Sequence, residues 1–321
     1  MDIQRTGLLA VLGILTYVLF LQWNLYTEAD NPASAVSAQI QPSTEAPKTG
    51  EVPSSSGVAQ APIAPISSNI VADQIIISTV AADIAITLSG GDITQVLLKE
   101  FPVSLKNQDQ PIPLLDYVSR TYFAQSGLVG ADGPDASTDG RPVYKAERQR
   151  YDITEPTDVS IQATTDTGLV ITKTFSVDPA RYDIKVTHTI QNTSDTEKIV
   201  SPFVQLKRDN SADPSIQNSM GMQAFLGYAL RTADERYRKV SFSDFETTID
   251  ARELNTELKN NAVAGGYLAL LQHYFTSAWV PSGDQTHLYS FRTNQNGHFI
   301  GSVISPDIVI PAGETQQTSA T

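Results

Sequence analysis

Four histidines, at positions 188, 273, 287 and 298, are the side chains best suited to proton transfer or metal binding near neutral pH. No two of them stand at H-x-x-x-H or H-E-x-x-H spacing, so no helix-borne metal site is readable. His188 falls on the apolar face of a strand pattern, where a hydrogen-bonded core histidine competes with a ligand. His273, within Gln272-His273-Tyr274-Phe275, reads the same way. A large β-sandwich can perform sugar chemistry with a histidine and a carboxylate as base and acid. A pairing of His273 or His298 with an Asp or Glu therefore stays open, although the sequence does not say which carboxylate. No catalytic, cofactor-binding or metal-ligating residue is assigned.

Two segments are more specified than their surroundings. Residues 125–135 pack three glycines, a proline and two aspartates into eleven positions. They do not meet the D-x-[DN]-x-[DN]-G calcium pattern and read as a long turn whose glycines take positive φ and whose Asp side chains serve the backbone. Ser126 lacks the G-x-S-x-G context of a hydrolase elbow. The second, Gly265-Gly266-Tyr267 followed by Gln272 to Phe275 and Ala278-Trp279-Val280-Pro281, gathers aromatics in a strand or a binding cleft.

The elements that must position these residues are mostly strands. Residues 182–190 alternate strictly, with Tyr182, Ile184, Val186, His188 and Ile190 on one face. Before them Leu169, Ile171, Phe175 and Val177 share a face interrupted only by Lys173, and Asp178-Pro179-Ala180-Arg181 supplies a hairpin turn. Residues 83–88 and 93–98 flank the break Gly90-Gly91-Asp92, and residues 267–280 and 287–304 add further β-branched and aromatic runs. Helix signals are few: the stronger lies at 232–239 with Thr232 as cap, the weaker at 250–259. Many short strands with no repeated βα unit predict a mainly β chain folded as a large antiparallel sandwich over residues 70–321.

Two other zones precede the sandwich. Residues 6–25 form a 20-residue apolar span of about 30 Å, long enough to cross a bilayer, with Trp23 and Tyr26 at its exit. Arg5 before the span and Glu28 and Asp30 after it predict that residues 1–26 are an anchor with a cytoplasmic N-terminus and residues 27–321 lie outside. A cleaved signal peptide is the alternative, against which stand the length of the span and the poor cleavage site Thr27-Glu28-Ala29. Residues 27–69 hold six prolines, eight serines and eight alanines and no aromatic, the composition of a disordered tether. The net charge of −13 argues against nucleic acid as a partner. The absence of cysteine excludes disulfides, thiolate metal sites and a cysteine nucleophile.

The opening Met1-Asp2-x-Gln4-Arg5 running into the span, the Gly90-Gly91-Asp92 turn and Ala124-Gln125-Ser126-Gly127-Leu128 come in an ordered series. Thr172-Lys173-Thr174-Phe175 follows, then Gly265-Gly266 with Gln272-x-Tyr274-Phe275-x-x-Ala278-Trp279-x-Pro281. Together they resemble the N-terminal part of the bacterial membrane protein insertase family YidC. The resemblance implies an inner-membrane protein whose first transmembrane helix leads to a periplasmic β-supersandwich, similar to sugar-binding folds such as galactose mutarotase. A membrane core with a hydrophilic groove follows in that family. It further implies inner-membrane protein substrates, contact with the lipid bilayer and partners in the Sec translocon (SecF, SecYEG), without enzymatic activity. A carbohydrate-binding or mutarotase-like periplasmic sandwich is the alternative. No second apolar run of about 20 residues follows the first, so the groove's residues have no counterpart here, and the sandwich reads as C-terminally truncated or as a fragment.

Overall fold

The computed structural model describes residue 53 and residues 73–104, 106–137, 140–211 and 225–321. The apolar span and almost all of the tether lie outside these residues. No helix among the described residues is long and apolar enough to cross a membrane.

Alternating sequences give strands, and the strands form three sheets. The largest runs in the order β16 (Leu288–Thr293), β17 (Phe299–Ile304), β11 (Lys198–Arg208), β5 (Tyr122–Val129), β4 (Asn107–Asp116), β3 (Ile93–Ser104), β2 (Ala82–Thr87), β1 (Gln74–Ser78), β7 (Arg150–Asp152). A further strand, β18 (Ile308–Ile310), pairs with the start of β11. Its pairings are antiparallel except β1 with β7. The second sheet is β19 (Thr315–Ala320), β10 (Ile184–Asn192), β9 (Leu169–Val177), β8 (Thr157–Thr164), β6 (Lys145–Ala146). The third is β13 (Arg238–Ser241), β12 (Gly227–Leu230), β14 (Leu268–Leu271), β15 (Thr276–Trp279). The mainly β antiparallel sandwich is therefore as expected, and β9 coincides with its apolar run.

Burial explains the layering. Strands β5 and β17 are buried at every residue, which requires cover on both faces of the large sheet. From Asp158 on β8 and throughout β9 burial alternates, so that Val159, Ile161, Ile171 and Phe175 point into the core while their neighbours are exposed or partly exposed. The β19 strand joins the second and third sheets edge to edge: it pairs with β10 along its length, and its end bridges Pro281 and bonds Val280 and Ser282.

The helix lies elsewhere than the stronger sequence signal. Thr232 does cap a turn, accepting from Glu235 N at 3.1 Å, but the chain then enters β13, because Val240 is buried opposite Tyr228. Pairing and burial override the local charge pattern. The helix, α1 (Thr248–Asn260), is capped by Thr247 and buries Ala251, Leu254 and Leu258. Its Asn255 donates to Phe291 O at 2.9 Å and accepts from Phe291 N at 2.7 Å, closing the open edge of β16. Beneath the helix Phe242 stacks on Phe299 at 4.2 Å, and Tyr228, Phe245 and Phe291 complete the aromatic cluster.

Candidate functional site

Three of the sequence segments singled out above meet at one place inside the sandwich. Lys173, on the buried face of β9, reaches across to the large sheet and donates from Nζ to Gly90 O (2.8 Å), Ser126 O (2.9 Å) and Gly91 O (3.1 Å). Three carbonyls around one ammonium explain how a lysine occupies an apolar face at 0% exposure. Gly91 takes φ +64°, and a Cβ there would stand 2.9 Å from Lys173 Cδ, so both backbone conformation and space call for glycine.

Residues 125–129 are not the turn expected of them; they are the buried half of β5, and only the residues after Val129 turn. The short 3-10 helix Pro134–Ala136 then brings Asp135 back beneath Gly127, whose missing side chain makes room for the carboxylate. Asp135 accepts from Leu128 N at 2.8 Å and from Arg141 Nε at 2.6 Å. Arg141 also pairs with Asp92 and donates from Nη2 to Ser126 O at 2.8 Å. Asp92 Oδ2 accepts from Gln125 Nε2 at 2.6 Å, while its Oδ1 is buried without a hydrogen-bond partner. Gln205 continues the line by donating to Gln125, and its Oε1 accepts from Ser302 Oγ at 3.0 Å and Arg292 Nη2 at 3.3 Å.

Electrostatics follow from burial. Arg141 loses hydration, but the two carboxylates more than offset that and its pKa is raised. Lys173 goes the other way: burial outweighs the attraction of Asp92, Arg141 adds repulsion, and the ammonium is pushed down to about 8. Tyr144, buried with Lys173 Nζ 5.6 Å from its ring centre, is held well above the ordinary phenol value chiefly by burial. This arrangement locks the sheets together. Its carboxylates are engaged by Arg141, and Asp92, Gln125, Asp135, Lys173, Gln205 and Ser302 are all buried.

The four histidines are dispersed. His188 stands opposite Lys173 in the β9–β10 register, buried, beside a 20 Å³ cavity that also touches Ser126 and Ser305. Its Nε2 has no partner, and burial, with Lys173 and Arg141 adding positive charge, keeps it well below the usual histidine range. His287 is buried with neither ring nitrogen bonded, and burial lowers it too. His273 stacks on Tyr274 at 3.9 Å, and His298 lies 3.4 Å from the Asn294 amide. The two aromatics suggested for a cleft also separate: Tyr267 donates to Arg236 O, whereas Trp279 is buried and donates to Gln205 O at 3.1 Å. No group of three or more metal-ligating side chains occurs among the described residues.

Sequence reasoning missed Arg141, Gln205, Arg292 and Ser302. The interrupting Lys173 on an apolar face was a usable signal for the cluster. Arg141 gave none, being 49 residues from Asp92.

Sandwiched antiparallel sheets braced by an internal charge cluster define the class, a β-supersandwich domain. Its outline is similar to a galactose mutarotase-like protein from Lactobacillus casei (TM-score 0.47, 10% identity, covering 77% of this chain and 98% of that one). It is also similar to a putative aldose 1-epimerase from Escherichia coli (TM-score 0.45, 8% identity, 77% of this chain and 97% of that one). Residues 74–321 match the YidC periplasmic domain model. The membrane protein insertase YidC of Pseudomonas fluorescens is 38% identical over 335 residues, covering 100% of this chain and 58% of that protein. That of Azotobacter vinelandii is 37% identical over 329 residues, covering 99% and 57%. The chain belongs to the YidC family, of which it is the N-terminal, periplasmic part. It spans a little over half the length of these curated relatives.

Proposed function

We propose that the chain serves a membrane protein insertase as its anchored, exported portion. In this reading residues 1–26 span the inner membrane with the N-terminus in the cytoplasm, residues 27–69 form a tether, and the sandwich from residue 70 onward stands in the periplasm. The complete protein eases polar ends of inner-membrane substrates across the bilayer, alone or with the Sec translocon (SecF, SecYEG). The sandwich contributes docking rather than catalysis. The observation that carries this reading is the family match over residues 74–321. The site chemistry supports it: Arg141, Lys173, Asp92 and Asp135 are spent on one another and on the backbone, and His188 and His287 have no carboxylate partner.

Co-purification from solubilised inner membranes tests it, with the full-length protein as control. The intact chain is expected to retain a Sec component and to leave aldose anomers unconverted. Retention by the full-length control alone, or measurable anomer interconversion, would refute the docking role.

A further inference from the structure

The layer made by the second and third sheets contains an open slot one strand wide. Strand β19 lies between β10 and the stretch 280–282, but its neighbours run on beyond its end. Val186 faces Ala320 across the β10 ladder, so that Ile184, where β10 begins, and Tyr182 just before it lie past the end of β19. On the other side Pro281 faces Ala320, and Val280 exchanges both backbone bonds with Thr321 (2.7 and 3.0 Å), so that Trp279 to Thr276 extend past it. Between these two unmatched lengths lies a groove of 350 Å³. Ile184 and Tyr182 form one wall, Trp279 and Ser277 the other, and Ala124 and Leu206 of the large sheet form the floor.

Both ladders set the register of what fits. In antiparallel pairs every second residue exchanges bonds with a given neighbour. Even-numbered residues of β19 bond to β10 and odd-numbered ones to the 280–282 side, so Ile184 and Ala278 turn their N–H and C=O toward the slot. Two unpaired strand edges above an apolar floor select an extended backbone with an inward apolar side chain.

We infer that the segment directly following Thr321 in the full-length protein continues β19 into this slot, bonding to Ile184 and Ala278. The relatives extend well beyond the part this chain covers, and β19 already points into the groove. Position 322 then faces inward between Ile184 and Trp279, position 324 lies between Tyr182 and Ser277, and both are apolar; position 323 faces outward. The inference rests on the chain continuing as in its relatives, not on insertase activity.

Hydrogen exchange compares the 321-residue chain with the full-length protein in the same detergent. Peptides covering residues 182–184 and 276–280 are expected to exchange about tenfold or more slowly in the full-length protein. Ala278→Pro removes the slot-facing N–H, so it should abolish that protection in the full-length protein and leave the short chain unchanged. Equal exchange in both proteins overturns the inference without any substitution. Protection that rises with protein concentration would assign the slot to a second copy, and protection only on adding a Leu/Val-rich peptide to the short chain, with the full-length protein still open, to a separate partner; either result overturns the inference. Loss of insertase activity with these amides closed would leave it standing.

Discussion

Replacing Lys173 by Met leaves an unbranched side chain one atom shorter and removes its charge and its three donated bonds. Arg141 still donates to Ser126 O at 2.8 Å and approaches Gly90 O at 3.3 Å, so Gly91 O is the carbonyl left bare. A buried acceptor without a partner costs about 1–3 kcal/mol. The charge itself adds no stability, because burial outweighs the attraction of Asp92 and holds the ammonium below its ordinary value, so the expected loss stays at about 1–3 kcal/mol. For a domain of this size the melting temperature should fall by roughly 2–12 °C, read by thermal unfolding of the chain. The pH profile gives a second readout. The folded pKa lies below the ordinary 10.5, so the unfolded chain holds more protons between about pH 8 and 10.5. Native stability should therefore rise through that window, by up to about 1.4 kcal/mol per pH unit, and the Met variant should lack this rise. A variant melting no lower than the native chain would refute the bonding role assigned to Lys173.

His188 is depressed below its ordinary value of 6.5, so stability present above that value should be lost as pH falls below it. Denaturant titrations at pH 7 and 5 read this, and His188→Gln should flatten the slope; an unchanged slope would show that His188 is not the proton acceptor. Asn255→Ala leaves Phe291 N–H and C=O at an open edge, for an expected loss of about 1–3 kcal/mol in chemical denaturation, with faster amide exchange confined to β16. Gly127→Ala drives a methyl into the Asp135 carboxylate and should cost more than Gly133→Ala only if the Asp135–Arg141 contact outweighs the turn backbone; ranking their melting temperatures decides this.

Strands were legible where burial alternates, as in β9 and β10, because a half-buried strand writes its two faces into every second residue. The signal failed where both faces are buried. In β5 Gln125, Ser126 and Gly127 look like turn residues, yet they sit there because Asp92, Arg141 and Asp135 receive them from segments far away in sequence. Helix 250–259 was the weaker reading and proved right, since Ala251, Leu254 and Leu258 could be buried together while 232–239 had Val240 to place in a sheet. Long-range polar contacts leave no local spacing, and the site consists almost wholly of them.

That inward use of polarity bears on function. From residue 70 onward 20 basic side chains face 30 acidic ones. Among the described residues Lys173, Lys207 and Arg208 are buried against the buried acids Asp92, Asp116 and Asp135, so burial does not offset the acidic excess of the composition. An acidic exterior repels anionic lipid and favours a partner with a basic face. In the proposed arrangement beside the membrane, such an exterior disfavours adhesion of the sandwich to anionic lipid.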